Sequence, residues 1–142
     1  MGPRIWTVRE ANATIPALDA IFKSIEEVRH RLKKLKGKAD VLEMLWGDEL
    51  ASESCPDHRE FQHYGQELER LKLEYDTQAK RFGELEVVLK SIDSGLVDFY
   101  GVIESRLVFL CWKRGETEVE YYHQIEEGFN GRVEIAREYR NR

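Results

Sequence analysis

The chain has 142 residues, of which 42% are hydrophobic and 35% are charged, and its formal net charge is −5. This length predicts one domain, covering 1–142, with a core of its own, and the negative charge argues against nucleic-acid binding by the surface as a whole. No apolar run approaches the ~20 residues needed to cross a bilayer, and the N-terminus lacks the apolar core of a signal peptide. Two cysteines, Cys55 and Cys111, are too few for a disulfide scaffold, so we expect a cytoplasmic protein.

The first predicted element is a long helix that begins at Thr7, because Thr7 and Glu10 have the spacing of a capping box. Pro16 is expected either to kink this helix or to move its start to Thr14. Apolar residues recur at steps of three or four; they are Ile15, Leu18, Phe22, Ile25, Val28, Leu32, Leu35, Ala39, Leu42 and Trp46. At Gly37 the helix either bends or stops, or it continues, and the unbroken phase favours continuation.

A connecting loop is predicted over 47–60, where the periodicity stops and acidic residues, Ser, Pro and Gly accumulate. Asp57, with Glu60 three residues later, predicts the N-cap of a second helix. That helix carries a coiled-coil-type seam, formed by Phe61, Tyr64, Leu68, Leu71, Tyr75, Gln78, Phe82 and Leu85. Two long helices joined by one loop predict an antiparallel hairpin over about 7–83. A hairpin cannot bury both stripes alone, so the C-terminal segment or a second subunit must cover them.

The last third of the chain changes to aromatic and β-branched residues separated by glycines, which predicts a small antiparallel meander over about 86–132, followed by a tail over 133–142. The predicted strands cover 86–92, 96–100, 106–112 and 119–124. In the third strand both alternating sets are apolar, with Leu107, Phe109 and Cys111 on one face and Val108, Leu110 and Trp112 on the other. This strand is therefore expected to be central and covered on both sides. The predicted fold class is α+β, a long coiled-coil-like helical hairpin with a small C-terminal sheet.

Three segments resemble a known family, namely TVREANATIPAL, VVLKSIDSGLVDF and LCWKRGETEVEYYHQIEEGFNGR. They are similar to the uncharacterised prokaryotic family catalogued as domain of unknown function 2203. The resemblance lies at the two ends of the chain. It implies a small soluble bacterial or archaeal protein without an established activity, and it supports a strand over 86–92. The family typically has proline where Tyr100 stands and an acidic residue where Gln124 stands, and the second departure weakens any role that needs a carboxylate beside His123.

Asp98 is the most unusual residue of the predicted sheet, because it is a carboxylate between Val97 and Phe99 in an apolar strand. An unpaired charge in such a place is costly. The favoured interpretation is a structural ion pair with Arg114 or Arg132, or hydrogen bonds from backbone amides. The other interpretation is an acid that faces a ligand or a metal ion.

Cys111 and His123 are weak catalytic candidates together with Asp98. Cys111 would serve as a nucleophile if His123 lay within hydrogen-bond reach, although a cysteine in a buried strand more often fills space in the core. His123 is expected to be packed and hydrogen-bonded rather than catalytic.

Two sets of residues are candidate metal ligands. The set Cys55, His58, Cys111 and His123 lacks the spacing of a recognised zinc motif. The set Asp98, Glu116 and His123 is chemically reasonable for a divalent cation but has no supporting spacing. No cofactor is predicted, and a divalent metal is left open.

Two segments are candidate anion sites. The run from Arg29 to Lys38 carries six Lys and Arg residues that could contact phosphates. A solvated helix face explains it better, and if the helix ends near Gly37 these charges complement the negative end of its dipole. The segment Gly128–Arg132 offers backbone amides beside an arginine, but an Asn-Gly turn needs no anion. The structural interpretation is favoured for both segments.

The sequence favours a non-enzymatic binding or assembly module over an enzyme. Its expected ligand-binding surface comprises Asp98, Trp112, Glu116, Tyr122, His123, Phe129 and Arg132. The alternative is a small enzyme or a metal-dependent ligand-binding protein that uses Asp98, Cys111 and His123 in a pocket at the helix–sheet junction. The apolar stripes predict a homodimer that pairs through its helices, and neither a membrane nor a nucleic acid is predicted as a partner.

Overall fold

The protein has the predicted α+β fold in a computed structural model that describes residues 2–142. The helices are α1 (Val8–Trp46), α2 (His58–Glu84) and α3 (Arg137–Arg140), and short 3-10 helices cover Gly47–Ala51 and Phe129–Gly131. The strands are β1 (Val88–Ser91), β2 (Leu96–Ile103), β3 (Arg106–Lys113), β4 (Tyr121–Gln124) and β5 (Val133–Glu134). The chain divides into two compact units, one formed by the first 22 residues with Lys80–Arg142 and the other by Lys23–Ala79. None of the helices within 2–142 is long and apolar enough to span a membrane.

Helix α1 begins where the capping box predicts. Thr7 Oγ1 accepts a hydrogen bond from the Glu10 N–H at 3.1 Å, and Glu10 Oε1 accepts one from the Thr7 N–H at 2.9 Å. The helix is continuous through Pro16, so the alternative start at Thr14 is wrong. Pro16 lies on the exposed side of the helix, where water can bind the carbonyl group that has lost its helical donor.

The helix also continues through Gly37, as the unbroken apolar phase indicated. Its stripe is most deeply buried in its first five turns, where Leu18 is 0% exposed and Phe22 is 2% exposed. Tertiary packing of this stripe therefore outweighs the local cost of proline and glycine in the helix.

Within the unit Lys23–Ala79 the two helices run antiparallel. Arg29 of α1 donates a hydrogen bond to the Tyr75 hydroxyl of α2 at 3.2 Å. Asp57 occupies the predicted position before α2, but its carboxylate accepts a hydrogen bond from the Trp46 indole at 2.8 Å. The coiled-coil seam and the homodimer stay predictions. Exposed apolar side chains lie in the last turns of α1, and they are Val41, Met44 and Leu45.

The five strands form one antiparallel meander in the order β1-β2-β3-β4-β5. Four of them were predicted from the sequence. Strand β5 and helix α3 lie in the segment assigned to the tail, and both are too short for a hydrophobic period to be recognised.

The β2–β3 hairpin is the centre of the sheet, and its register runs without a break from Leu96 opposite Lys113 to Ile103 opposite Arg106. The connecting residues Glu104 and Ser105 both have positive φ, at 51° and 64°. These φ angles are typical of a tight two-residue hairpin turn. Because the turn begins only at Glu104, β2 extends to Ile103, three residues beyond its predicted end.

The two faces of the hairpin have different surroundings. One face packs against the N-terminal segment and α1, with ring centroids 5.1 Å apart for Trp6 and Phe99 and 6.2 Å apart for Phe22 and Trp112. On the other face, the Lys90 ammonium lies 4.6 Å from the centroid of the Phe109 ring. This second face is buried around its centre but open towards the hairpin turn, so the expected complete cover on both sides is only partly correct.

Candidate functional site

The register of the sheet brings three chemically reactive side chains onto one face. Asp98 of β2 lies directly opposite Cys111 of β3. Cys111 in turn lies opposite Tyr121 of β4, and His123 follows two positions later on the same face. Asp98 and His123 are therefore placed on either side of Cys111, one on each flanking strand.

Asp98 and His123 meet across the central strand. Strands two positions apart in a sheet are separated by about 9–10 Å, yet His123 Nε2 lies 2.9 Å from Asp98 Oδ2. Cys111 lies opposite Asp98, and Phe109 lies opposite His123, so the contact runs diagonally past Cys111. The small side chain of Cys111 leaves room for it.

The group formed by Asp98, Cys111 and His123, called here the sheet triad, is buried. The exposed fractions of its residues are 1%, 1% and 2%. One donor atom from each residue, a carboxylate oxygen, a thiol sulfur and an imidazole nitrogen, lies within 4.8 Å of the others. These are three of the donor types that bind Zn²⁺ in proteins.

The hydrogen bonds of His123 define where its protons lie. Nδ1 is 2.8 Å from the backbone carbonyl of Gln124, and a carbonyl oxygen can only accept, so Nδ1 carries a proton. Nε2 then shares a single proton with Asp98 Oδ2. Burial raises the pKa of Asp98, against the opposing effects of His123, Cys111 and Lys90.

One oxygen of the Asp98 carboxyl group remains unsatisfied. The Cys111 thiol is a weak donor that lies close enough to lower the pKa of Asp98 slightly. It nevertheless leaves Oδ1 without a hydrogen-bond partner within residues 2–142. A buried acceptor without a donor is uncommon in folded proteins and requires a physical explanation.

Cys111 is a protonated thiol in this environment. Burial, reinforced by the nearby Asp98 carboxyl group, raises its pKa to about 12, and the opposing effect of Arg132 is smaller. A thiol of this kind is not a nucleophile at neutral pH. Proximity to His123 therefore does not activate Cys111, since the imidazole proton acceptor is already engaged by Asp98.

The expected ion pair between Asp98 and Arg114 or Arg132 is wrong, because His123 is the partner of Asp98. Arg132 instead donates from Nη2 to Glu116 Oε1 at 2.9 Å and to the Cys111 carbonyl oxygen at 3.3 Å. Its guanidinium group also lies over the rings of Tyr121 and Phe129, 4.1 Å and 4.6 Å from their centroids. The strand register, which the sequence does not reveal, determines that His123 and not an arginine is the partner of Asp98.

The predicted ligand-binding surface is divided between the two faces of the sheet. Asp98, His123 and Arg132 belong to the face of the sheet triad, whereas Trp112 and Tyr122 belong to the face that packs on α1. The Trp112 indole is 0% exposed and donates to the Glu116 carbonyl oxygen at 2.9 Å. Phe129 is the member with substantial exposure, at 37%.

The structure groups the predicted metal ligands differently. Asp98 and His123 lie together with Cys111, whereas Glu116 Oε1 accepts a hydrogen bond from Arg132. Metal binding by either set stays a prediction. Cys55 and His58 belong to the other unit, where Cys55 packs with apolar residues and His58 Nδ1 lies 2.8 Å from the Leu50 carbonyl oxygen.

The candidate anion site at Gly128–Arg132 forms a turn. The Gly131 N–H donates to the Gly128 carbonyl oxygen at 2.9 Å, and the Arg132 N–H donates to that of Phe129 at 3.2 Å. These amides are used by the turn itself, which agrees with the structural interpretation.

Comparison with known protein families identifies the family of this chain. A family described as "Uncharacterized conserved protein (DUF2203)" matches residues 4–135. The chain belongs to this family. No curated protein and no solved structure matches it. Family membership confirms the resemblance seen in the sequence, whereas a prokaryotic source stays a prediction.

We expect the Cys111 thiol of this DUF2203 member to be unreactive in the folded, metal-free state. In a Cys55→Ala variant, which leaves Cys111 as the remaining cysteine, a thiol reagent at neutral pH should label the protein only as fast as it unfolds or opens. Labelling in urea provides the reference rate. Fast labelling of the folded protein, with a pH midpoint far below 12, would contradict the burial of this thiol.

The stability of the metal-free protein should depend on the ionisation of Asp98. Because its folded pKa is raised above the ordinary value of 3.8, the stability that Asp98 contributes is complete below that value and is lost as pH rises through the raised pKa. Asp98→Asn keeps a donor for His123 Nε2 and removes the titration. The free energy of unfolding in urea, measured from below pH 3.8 upwards, should therefore fall for the wild type relative to Asp98→Asn as pH rises. A pH-independent difference, or one of opposite sign, would refute the prediction.

Proposed function

We propose that the protein is a non-enzymatic binding module whose ligand is a divalent transition metal, Zn²⁺ first, bound by Asp98, Cys111 and His123. The observation that carries the proposal is the convergence of a carboxylate oxygen, a thiol sulfur and an imidazole nitrogen within 4.8 Å at a buried position. Thiolate and imidazole ligands together favour zinc over magnesium or calcium, which prefer oxygen.

The arrangement of His123 supports this proposal. A metal-bound histidine usually donates its second ring N–H to a carbonyl or carboxylate, which fixes its tautomer and orientation. His123 Nδ1 already makes such a bond with the Gln124 carbonyl oxygen. Nε2 is thereby oriented towards Asp98 and Cys111, and it becomes available to a metal ion once the proton that it shares with Asp98 Oδ2 leaves.

The distance between the nitrogen and oxygen ligands requires only a small adjustment. Tetrahedral zinc with bonds of about 2.0 Å to oxygen and nitrogen separates these two ligands by about 3.3 Å. The present separation of His123 Nε2 and Asp98 Oδ2 is 2.9 Å, so the pair would open by a few tenths of an ångström. Such a movement also gives the unpartnered Asp98 Oδ1 a route to a new interaction, since the carboxylate would rotate as it binds.

Charge balance supports a divalent ion in particular. In the metal-free site, one proton lies on the Cys111 sulfur and one is shared by Asp98 and His123. A thiolate, a carboxylate and a neutral imidazole carry two negative charges, which Zn²⁺ neutralises. Binding therefore exchanges two protons for one dication and leaves the net charge of the buried site unchanged, which avoids the large cost of an uncompensated charge.

Binding without catalysis is the function that the surroundings favour. The protonated thiol is unsuited to nucleophilic attack, and the members of the triad are at most 2% exposed. Catalysis by the same three residues is the alternative, and it requires a movement that admits a substrate. A reducing cytoplasm, in which both cysteines remain free thiols, and a homodimer paired through the helices belong to the same proposal.

Metal titration tests the proposal. Chelator-treated wild-type protein should bind one equivalent of Co²⁺ with a thiolate charge-transfer band in the near ultraviolet, and Zn²⁺ should displace it. The Cys111→Ala variant should lose the band and most of the affinity, because one of the three ligands is gone. Proton release measured in weakly buffered solution should approach two per metal ion.

The matched control is Cys55→Ala, which removes the other buried cysteine without touching the sheet. It should bind Co²⁺ as the wild type does. The proposal fails if the wild type gives no thiolate band, or if Cys111→Ala and Cys55→Ala bind Co²⁺ equally well.

A further inference from the structure

The sheet triad supplies three ligands, which leaves a tetrahedral ion one ligand short. Within residues 2–142 no fourth histidine, cysteine, aspartate or glutamate joins the group. Structural zinc sites in proteins are almost always closed by four protein ligands, whereas sites with three bind an exchangeable fourth ligand. The nature of that fourth ligand depends on the groups beside the triad.

Arg132 is one of three charged groups near the triad, and the others are Lys90 and Glu116. Its Nη2 is 3.3 Å from the carbonyl oxygen of Cys111, and its guanidinium group lies 4.1 Å from the ring centroid of Tyr121, the residue opposite Cys111. The side chain is only 12% exposed. Arg132 is thus fixed on the same sheet face as the metal ligands, within one strand of them.

Two buried side-chain atoms lack a hydrogen-bond partner in the described part of the chain, and both lie on this face. They are the acceptor Asp98 Oδ1 and the donor Arg132 Nε. The first is accounted for by a cation, whereas the second requires an acceptor. A metal ion together with a small anion satisfies both atoms, and neither component does so alone.

We infer that the metal centre binds a small carboxylate at its fourth position and that Arg132 Nε donates to it. This inference rests on the proposed metal site. A carboxylate offers one oxygen to the metal and a second oxygen to Arg132 Nε, which a single-atom anion cannot do. Arg132 Nη2 is already engaged by Glu116 and by the Cys111 carbonyl oxygen. The neutral triad with Zn²⁺, and an Arg132 charge partly compensated by Glu116, balance a monoanion better than a phosphate dianion.

The test uses the Co²⁺-loaded full chain, because the visible absorption of Co²⁺ responds to its fourth ligand whereas the thiolate band reports that the metal is bound. Acetate is the probe, added at constant ionic strength against sodium perchlorate. Acetate should change the visible spectrum in a saturable manner and leave the thiolate band in place. A spectrum that does not respond to acetate indicates water as the fourth ligand and overturns the inference while the proposed function stands.

Variants of Arg132 separate its role from a general effect of charge. Arg132→Gln should keep the thiolate band and weaken the apparent acetate affinity by about tenfold or more, since each tenfold corresponds to about 1.4 kcal/mol. Arg106→Gln, at the exposed start of β3, is the matched control and should bind acetate as the wild type does. Arg132→Lys keeps the charge without the Nε donor and should recover only part of the affinity.

The outcomes distinguish the two proposals. If Co²⁺ produces no thiolate band in the wild type, both the metal site and the carboxylate site are contradicted. A normal thiolate band with equal acetate affinity in the wild type and Arg132→Gln contradicts the role of Arg132 alone. If Arg132→Gln does not fold, the wild-type acetate titration and Arg132→Lys decide the question.

Discussion

The hydrogen bond between Asp98 and His123, which passes over Cys111, is the contact on which the polar face of the sheet depends. It joins β2 to β4 across the intervening strand at 2.9 Å, and it explains how a carboxyl group exists in an apolar strand. Removal of either partner would leave the other buried without compensation, a change that typically costs several kcal/mol. The small size of Cys111 also matters, because the contact runs diagonally past its side chain.

This hydrogen bond does not satisfy all the buried polar atoms of the face. It satisfies one oxygen of Asp98 and leaves the other, together with Arg132 Nε, without a partner in the described residues. A purely structural pair would be expected to satisfy both. The proposed divalent metal and small anion would give both atoms a partner, at a place where a histidine is already oriented by a backbone carbonyl.

Local sequence patterns predicted the fold well, and long-range register was beyond their reach. The capping box at Thr7 and the alternation in β3 are local, and both were correct. The partner of Asp98 depends on two registers, that of β2 with β3 and that of β3 with β4. The turn between β2 and β3, at Glu104 and Ser105, contains no glycine although both residues have positive φ. The two-residue strand β5 is too short to produce a period.

Gln124 illustrates the same limit at the level of one atom. An acidic residue is expected after the histidine, and its absence argued against a role for His123 that needs a neighbouring carboxylate. The structure shows that the backbone carbonyl of Gln124 orients His123, and that the carboxyl group comes from Asp98 on another strand. The side chain at position 124 is therefore not required for this arrangement, which no sequence pattern could reveal.

X-ray absorption at the zinc edge is the most direct measurement of the central claim, because it counts the atoms bound to the metal. Zinc-loaded protein should show one sulfur at about 2.3 Å and nitrogen or oxygen ligands at about 2.0–2.1 Å. The sulfur contribution should disappear in Cys111→Ala and persist in Cys55→Ala. A zinc spectrum without sulfur in the wild type, or one unchanged in Cys111→Ala, would show that the sheet triad is a structural hydrogen-bonded cluster and not a metal centre.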